Sequence, residues 1–320
     1  MVTANSPTLP RAIFLMGPTA SGKTDVAVEL TKKLPCDIIS VDSALVYRGM
    51  DIGSAKPDNR ILMQAPHLLI SFLDPSASYS AAQFRRDAVR EIHDIVQAGR
   101  IPLLVGGTML YFKVLLEGIA DLPVADPALR ATLTAEAAHI GWPAMHQKLS
   151  VIDPIAAAQL HPNHSQRILR ALEVHALTGT PLSTLQQQQT AEPLPFHPVQ
   201  LALIPNDRDA LHQRIEQRFD HMLRAGLIDE VRQLYQRGDL HADLPAIRAV
   251  GYRQVWEHLA GKLTEAEMRA AGIAATRQLA KRQLTWLRSW PSLQTVPVQE
   301  PFQLEKVTEA VLKILSANGI

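Results

Sequence analysis

The sequence predicts an α/β protein in which helices flank a parallel sheet, with an all-helical insertion domain and a helical C-terminal part. Two observations predict this fold class. Short apolar runs alternate with helical patterns as far as Glu117, and then no convincing strand appears until residues 198–204. Strands that alternate with helices are typical of parallel sheets, whose ligands bind at the carboxyl ends of the strands.

The elements follow in order from apolar periodicity and capping residues. Ser80 and Gln83 form a capping box that begins one helix, and Asp126 and Asp153, each followed by a proline, begin two others. The predicted strands cover residues 11–16, 37–41, 101–105 and 198–204, and the predicted helices cover residues 23–33, 80–98, 109–117, 165–177, 208–224, 228–237, 252–259 and 264–290.

The change of pattern divides the chain into a core and an insertion. Residues 1–118 and 199–320 form the predicted core, and residues 119–198 form the helical insertion. The glutamine-rich tract at 186–189 and the prolines after it predict an exposed linker back to the sheet. Beyond Ile204 the sequence predicts helices almost throughout.

Composition excludes several classes of protein. Of the 320 residues, 47% are hydrophobic and 20% are charged, which is typical of a globular protein and not of a disordered one. No apolar run reaches the roughly 20 residues that a membrane span needs. The N-terminus has no signal-peptide pattern and Cys36 is the only cysteine, so the sequence predicts a cytoplasmic protein without membrane association.

A phosphate-binding loop stands directly behind the first predicted strand, which predicts a sheet like that of P-loop NTPases. Gly17 and Gly22 permit backbone conformations that turn successive N–H groups toward an anion. Lys23 would neutralise a phosphate, and the Thr24 hydroxyl is of the kind that ligates magnesium in such loops. The complete loop, hereafter the phosphate loop, is Gly17, Pro18, Thr19, Ala20, Ser21, Gly22, Lys23 and Thr24.

Two other strand ends carry candidate chemistry. Asp42 follows the second strand, so its carboxylate can serve as a base, reach a metal ion or merely cap the next turn. The 101–105 strand is followed by Gly106, Gly107 and Thr108, where many phosphate-loop nucleotidases have a metal-binding aspartate. Such a turn lets a bulky ligand approach the backbone, although an ordinary tight turn has the same sequence.

A cationic segment lies near the C-terminus. No Asp or Glu occurs between Met268 and Gln299, whereas Arg269, Arg277, Lys281, Arg282 and Arg288 do. A helical face of this charge suits a nucleic-acid backbone, and Trp286 and Trp290 either stack on bases or belong to the core.

Several segments together closely resemble the bacterial tRNA dimethylallyltransferases, also called tRNA isopentenyltransferases of the IPP transferase family. The similar segments occur in the same order from about Arg11 to Trp290. They are residues 12–24, 39–44 with 47–56 following, 104–111, 247–254 and 276–286.

The resemblance implies transfer of a dimethylallyl group from dimethylallyl diphosphate to the exocyclic amine of the adenosine 3′-adjacent to a tRNA anticodon. It implies that the phosphate loop holds the diphosphate, with Lys23 and Mg²⁺ on Thr24 stabilising its departure. Asp42 would accept the amine proton and Thr108 would steer the base. Arg214 and Arg218 are alternative candidates for a second cation on the diphosphate.

The resemblance also implies contacts with the tRNA anticodon stem-loop. Because an adenine must be splayed out of that loop to reach a buried base, we predict that the insertion and the sheet form a cleft, and we predict a monomer. The implied tRNA-binding residues are Asp42, Ser43, Ala44, Leu45, Thr108, Arg130, Gln166, Arg167, Ile168, Leu169, Arg170, Ile247, Arg248, Ala249, Val250, Gly251, Tyr252, Ala280, Lys281, Arg282, Gln283, Leu284, Thr285, Trp286 and Leu287.

Two other classes remain open at this point. A small-molecule or nucleotide kinase would hold ATP in the same loop and use Asp42 to activate a hydroxyl, but it leaves the acid-free C-terminal helix unexplained. A non-catalytic RNA-binding module gated by a nucleotide explains that charge, but not the position of Asp42 beside a glycine-lined strand end.

Overall fold

The computed structural model describes residues 9–120, 122–188 and 194–320. They form two compact units. The first unit comprises Met1–Leu116 and Leu194–Ile320, and the second comprises Glu117–Pro193.

The first unit contains a sheet and most of the helices. Its strands are β1 (Arg11–Met16), β2 (Cys36–Val41), β3 (His67–Leu68), β4 (Ile101–Gly106), β5 (His197–Pro205) and β6 (Gln294–Val298). Its helices are α1 (Lys23–Lys33), α2 (Asn59–Gln64), α3 (Ala81–Gln97), α4 (Met109–Glu117), α10 (Arg208–Arg224), α11 (Leu227–Tyr235), α12 (Tyr252–Leu259), α13 (Glu265–Arg288) and α14 (Leu304–Ala317). The helices of the second unit are α5 (Pro127–Ile140), α6 (Trp142–Ile152), α7 (Pro154–Ala158), α8 (Ser165–Thr178) and α9 (Leu182–Gln187).

The strand order places side by side the three strands that are followed by candidate site residues. All pairings in the sheet are parallel, and the order is β3-β2-β4-β1-β5-β6. Gly106 of β4 is level with Met16 of β1 on one side and with Val41 of β2 on the other. The segments that follow these three strands therefore begin at one level, at the carboxyl edge where parallel sheets bind ligands.

Helices cover both faces of the sheet because its strands are apolar on both sides. Ile13 and Leu15 face a core that includes residues of α1 and α14. Phe14 points the other way and packs against Phe112 of α4 and Phe196, with ring centroids 5.2 and 6.1 Å away. A fully buried side chain of this size contributes roughly 1.5–3 kcal/mol, and the α/β fold class predicted from the sequence is confirmed.

A second core joins the segment after β2 to the C-terminal helices. Tyr47 and Met50 are buried there with Phe219 of α10, Val231 of α11 and Tyr252 of α12. Glu230 of α11 anchors the loop after Met50, because its carboxylate accepts hydrogen bonds from the amides of residues 51–53 and from the Tyr252 hydroxyl.

A buried carboxylate joins two helices of the helical unit. Glu173 of α8 is fully buried and accepts hydrogen bonds from the guanidinium groups of Arg130 and Arg170 and from the Asp126 amide. Burial alone would raise the pKa of Glu173, but these donors outweigh it and hold the pKa below its ordinary value. The acidic residue thus ties α5 to α8.

Two predictions about the C-terminal half were wrong. The chain after Ile204 is not almost entirely helical, because β6 adds an edge strand beside β5. Pro297 within that run disguises it, although an edge strand tolerates a proline. The tract predicted as a linker begins inside α9, since Gln186 and Gln187 are helical, and residues 189–193 lie outside the described part of the chain.

Candidate active site

The phosphate loop lies between β1 and α1, where its shape depends on glycine. Gly22 has φ +84°, and a Cβ there would stand 2.5 Å from the ring of Phe302. A side chain at this position would therefore meet both backbone strain and the C-terminal segment.

Two basic side chains lie at the phosphate loop. The Lys23 ammonium donates to the Pro18 carbonyl at 2.6 Å, and the Arg218 guanidinium of α10 donates to the Thr19 hydroxyl. Burial, reinforced by the nearby charge of Arg218, lowers the pKa of Lys23 to about 7, and Asp42 opposes that shift. Burial likewise lowers the pKa of Arg218. Both cations are thus short of anionic partners, which is the condition in which an anion binds well.

The Arg214 side chain is engaged by the C-terminal segment. One guanidinium nitrogen lies 2.7 Å from Glu300 Oε1, while Nε and Nη2 are buried without a partner among the described residues. Arg214 and Arg218 line the same pocket, but only Arg218 has a hydrogen bond to the phosphate loop among the contacts described.

Asp42 caps a turn and also faces the pocket. Its Oδ1 accepts hydrogen bonds from the amides of Ala44 at 2.8 Å and Leu45 at 3.4 Å. Because both bonds end on Oδ1, the other oxygen is the one that can take a proton from a substrate. Burial raises the pKa of Asp42 against the opposing effects of these amides, Lys23 and Arg218.

Thr108 is fixed beside Asp42 by bonds between two strand ends. Its amide donates to the Val41 carbonyl at 3.2 Å, and its hydroxyl accepts from the Ser43 amide at 3.2 Å. The two candidate residues for handling an acceptor therefore belong to adjacent, connected segments.

These groups line one pocket of about 1170 Å³ within the first unit. Among the described residues of its wall are six Lys or Arg side chains and three carboxylates; Lys56 and Arg214 also pair with Asp51 and Glu300, which leaves a small positive excess. Thr24, Ser40 and Asp42 add oxygen donors, and the Ser40 hydroxyl is buried without a partner in the described structure. The pocket therefore suits a polyanion, with oxygen ligands of the kind magnesium prefers.

The residues expected to contact RNA differ in their surroundings: Lys281 and Thr285 are exposed, and Leu284 is half-buried. Part of them lines the pocket: Asp42, Ser43, Ala44, Leu45, Thr108, Arg248, Ala249, Val250, Gly251, Arg282, Gln283 and Trp286. Others have side chains buried in the cores, namely Ile168, Leu169, Ile247, Tyr252, Ala280 and Leu287. Arg130 and residues 166–170 belong to the second unit, where Gln166 and Arg167 are exposed.

Helix α13 has fewer unpaired cations for an anionic partner than its sequence indicates. Arg277 lies 2.9 Å from Glu216, and Arg269 contacts both Glu216 and Asp220. The segment between Met268 and Gln299 itself contains no acidic residue, but these two arginines are paired because α10 supplies carboxylates from elsewhere in the chain. Lys281 is exposed and Arg282 lines the pocket.

Sequence reasoning did not single out Ser40, Glu300 or Phe302. The two-residue period of a strand puts Ser40 on the same side as Asp42, so a signal for Ser40 was available. Glu300 and Phe302 lie in a C-terminal segment for which the sequence offered no role, and no local pattern joins them to a loop almost 280 residues earlier.

Comparison with known proteins decides the family. The family model described as IPP transferase matches residues 45–290, and a second, described as isopentenyl transferase, matches residues 10–74. The chain belongs to the IPP transferase family.

Individual members of the IPP transferase family cover almost the whole chain. The tRNA dimethylallyltransferase of Thioalkalivibrio sulfidiphilus is 60% identical over 294 residues, which are 92% of this chain and 92% of that protein. The crystal structure of the tRNA isopentenylpyrophosphate transferase of Bacillus halodurans is similar with TM-score 0.69 and 37% identity, covering 97% of this chain and 98% of its own. The Staphylococcus epidermidis tRNA Δ(2)-isopentenylpyrophosphate transferase gives TM-score 0.68 and 32% identity, with 97% and 99% covered.

IPP transferase membership confirms the predicted family and leaves the kinase alternative without support beyond the phosphate loop and fold. Among the described residues, no helix has the length and hydropathy of a membrane span, and no group of three or more His, Cys, Asp or Glu side chains could hold a metal ion.

Proposed function

We propose that this enzyme transfers the dimethylallyl group of dimethylallyl diphosphate to the exocyclic amine of the adenosine that follows a tRNA anticodon. The observation that carries the proposal is the common pocket of the phosphate loop, Asp42 and Thr108. A pocket that joins an anion-binding loop to a buried carboxylate can hold a leaving diphosphate and a base on opposite sides of one reacting carbon.

The donor would bind with its diphosphate on the phosphate loop. Lys23 and Arg218 lie at that loop, so their charges would balance the charge that grows on the departing oxygen. Of the two arginine candidates, the contact with Thr19 supports Arg218 for this role. Arg214 would reach the diphosphate only by exchanging its Glu300 partner.

The oxygen donors of the pocket fit a magnesium ion. Thr24 would hold it, and the Ser40 hydroxyl, which has no partner among the described residues, offers another polar group on the same pocket wall. Bound magnesium would supply Lewis-acid stabilisation of diphosphate charge.

Asp42 would act as the base for the acceptor. The adenine amine is a poor nucleophile because its lone pair is delocalised into the ring, so removing a proton as the bond forms assists attack. The N–C bond forms while the C–O bond to diphosphate breaks; the amine proton passes to Asp42, and diphosphate leaves with the bonding electrons. Thr108, whose hydroxyl is hydrogen-bonded to the Ser43 amide, would orient the adenine ring.

An RNA base enters such a pocket only after it is splayed out of its loop. Arg248, Arg282 and Trp286 on the pocket wall suit phosphates and an unstacked base. The helical insertion, with the exposed Gln166 and Arg167, would add contacts to the anticodon stem-loop. Because tRNA is the acceptor, we place the enzyme in the cytoplasm, and we infer a monomer.

A labelling experiment tests the reaction. The protein is incubated with unmodified tRNA, magnesium and either labelled dimethylallyl diphosphate or labelled ATP. We expect label in tRNA only from the prenyl donor, at the adenosine after the anticodon. Absence of prenyl label from wild-type reactions would contradict the proposed function.

The raised pKa of Asp42 predicts the acid limb of the pH profile. A base works only when deprotonated, so the transfer rate should fall as the pH decreases through the pKa of Asp42, which lies above the ordinary aspartate value of about 4. The pH dependence of kcat/KM, measured at constant ionic strength, reports this limb, because it follows groups of the free enzyme. An acid limb at or below pH 4 would argue against Asp42 as the buried base.

Lys281 is expected to contact an RNA phosphate. The Lys281→Ala variant should weaken tRNA binding. The slope of the logarithm of the binding constant against the logarithm of the salt concentration should decrease in magnitude by about 1, because one fewer counterion is released. Lys313→Ala on α14 is the matched control, since Lys313 is also an exposed helical lysine. Equal slopes for wild type and Lys281→Ala would show that Lys281 does not contact an RNA phosphate.

A further inference from the structure

One polar side chain of α13 points into the protein at the active site. Gln283 is 8% exposed and is flanked along its helix by the buried residues Ala280 and Leu287. Its Oε1 accepts a hydrogen bond from the Thr19 amide at 2.8 Å, and its Nε2 donates to the Gly107 carbonyl at 2.9 Å. One amide thus connects the phosphate loop to the turn after β4.

Neither end of the Gln283 amide is placed to read RNA. Its carbonyl and its amino group each have a backbone partner, which satisfies the needs of a buried amide. Gly107 also makes room for it, because a Cβ there would collide with Nε2 of Gln283. The Gln283 side chain therefore needs a residue without a Cβ at position 107, although the two residues are 176 apart in the sequence.

We propose that Gln283 is a positioning residue that fixes the donor loop and the acceptor turn relative to each other. Its two partners belong to different substrates in the proposed reaction, on which this inference rests. Thr19 lies in the loop assigned to diphosphate and also receives the Arg218 hydrogen bond. Gly107 precedes Thr108, which would orient the adenine and is bonded to the segment that carries Asp42.

The connection that Gln283 makes between the two segments should affect the transfer step more than the binding of either substrate. Each substrate is held by its own segment, so each binary complex survives a small relative shift of the two segments. Bond formation is more demanding, because the reacting atoms need an approach of about 3–3.5 Å and correct alignment. A displacement of about 1 Å at a distance from the chemistry can cost a hundredfold in rate.

The test replaces Gln283 with methionine, which has similar length but no hydrogen-bonding amide. We expect the single-turnover rate of prenyl transfer to fall roughly tenfold to a hundredfold. The affinities for a non-hydrolysable dimethylallyl diphosphate analogue and for tRNA, measured separately, should change by less than about threefold. Gln278→Met is the matched control, because Gln278 is exposed on the same helix. An equal loss in both binding constants, or no loss of rate, would overturn the proposal.

A double-mutant cycle separates positioning from general damage to the fold. Residues that act through one arrangement are non-additive, so Gln283→Met should cost less in a Thr108→Ala background than in the wild type. Additive losses would overturn the proposal. If Gln283→Met melts below the assay temperature, Gln283→Asn serves instead, since it keeps the neutral amide but is one methylene too short to reach both partners. Inactive wild type would contradict the proposed function, whereas active wild type with an unaffected Gln283 variant would contradict only this inference.

Discussion

The Asp42→Asn variant is expected to lose about 10²–10⁴-fold in the single-turnover rate of prenyl transfer, the range for removal of a general base. Asparagine keeps the shape of aspartate, and its oxygen can still accept the hydrogen bonds from Ala44 and Leu45. The turn after β2 therefore persists while the proton acceptor disappears. We expect tRNA affinity to remain within about twofold of the wild type.

The control for this variant is Asp37→Asn on the same strand. Asp37 is a half-buried carboxylate whose partner is Arg100, so its loss tests the general cost of removing a charge from β2. Single-turnover product formation and filter binding of tRNA provide the two measurements. An Asp42→Asn variant with near wild-type turnover would exclude this carboxylate as the base.

The Lys23→Met variant should lower kcat/KM for dimethylallyl diphosphate by about 10²–10³-fold, as when one preorganised donor to a developing anion is removed. Methionine retains much of the apolar stem of lysine but removes the ammonium group. Because Lys23 is held by Pro18 and Ser21 before any substrate binds, the group is already oriented and its removal is not compensated by solvent.

Lys32→Met provides the comparison within the same helix, since Lys32 is exposed and pairs with Glu29. Steady-state kinetics with varied donor and saturating tRNA, followed by isotherms for diphosphate alone, distinguish charge stabilisation from simple binding. A comparable decrease in Lys32→Met would show that the effect is not specific to the phosphate loop.

The features predictable from sequence are those encoded within a few residues. The phosphate loop, Asp42 and Thr108 each follow a strand, and parallel strands bring their carboxyl ends to one edge. The structure places all three at a single pocket, while their assigned roles remain predictions. The fold class and the family are confirmed, because strand–helix alternation and ordered motifs are local signals.

The remaining features depend on contacts between distant segments. Gln283 looked like part of an RNA-binding helix because its interior position appears only once α13 packs beside the phosphate loop. The sequence indicated that Arg269 and Arg277 could contact RNA phosphates, because a count of charges along one segment leaves out Glu216 and Asp220, which lie on α10. Strand β6 was missed because its proline and short length resemble a loop.

The position of β6 and α14 has a consequence for synthesis of the protein. A chain emerges from the ribosome N-terminus first, so the phosphate loop emerges well before the segment that covers it. Phe302, which lies against Gly22, and α14, which packs against α1, follow the other residues of the donor site in the order of translation. We therefore expect the nascent chain to complete its donor site only after residues 302–317 have emerged, which delays its activity relative to synthesis of the phosphate loop.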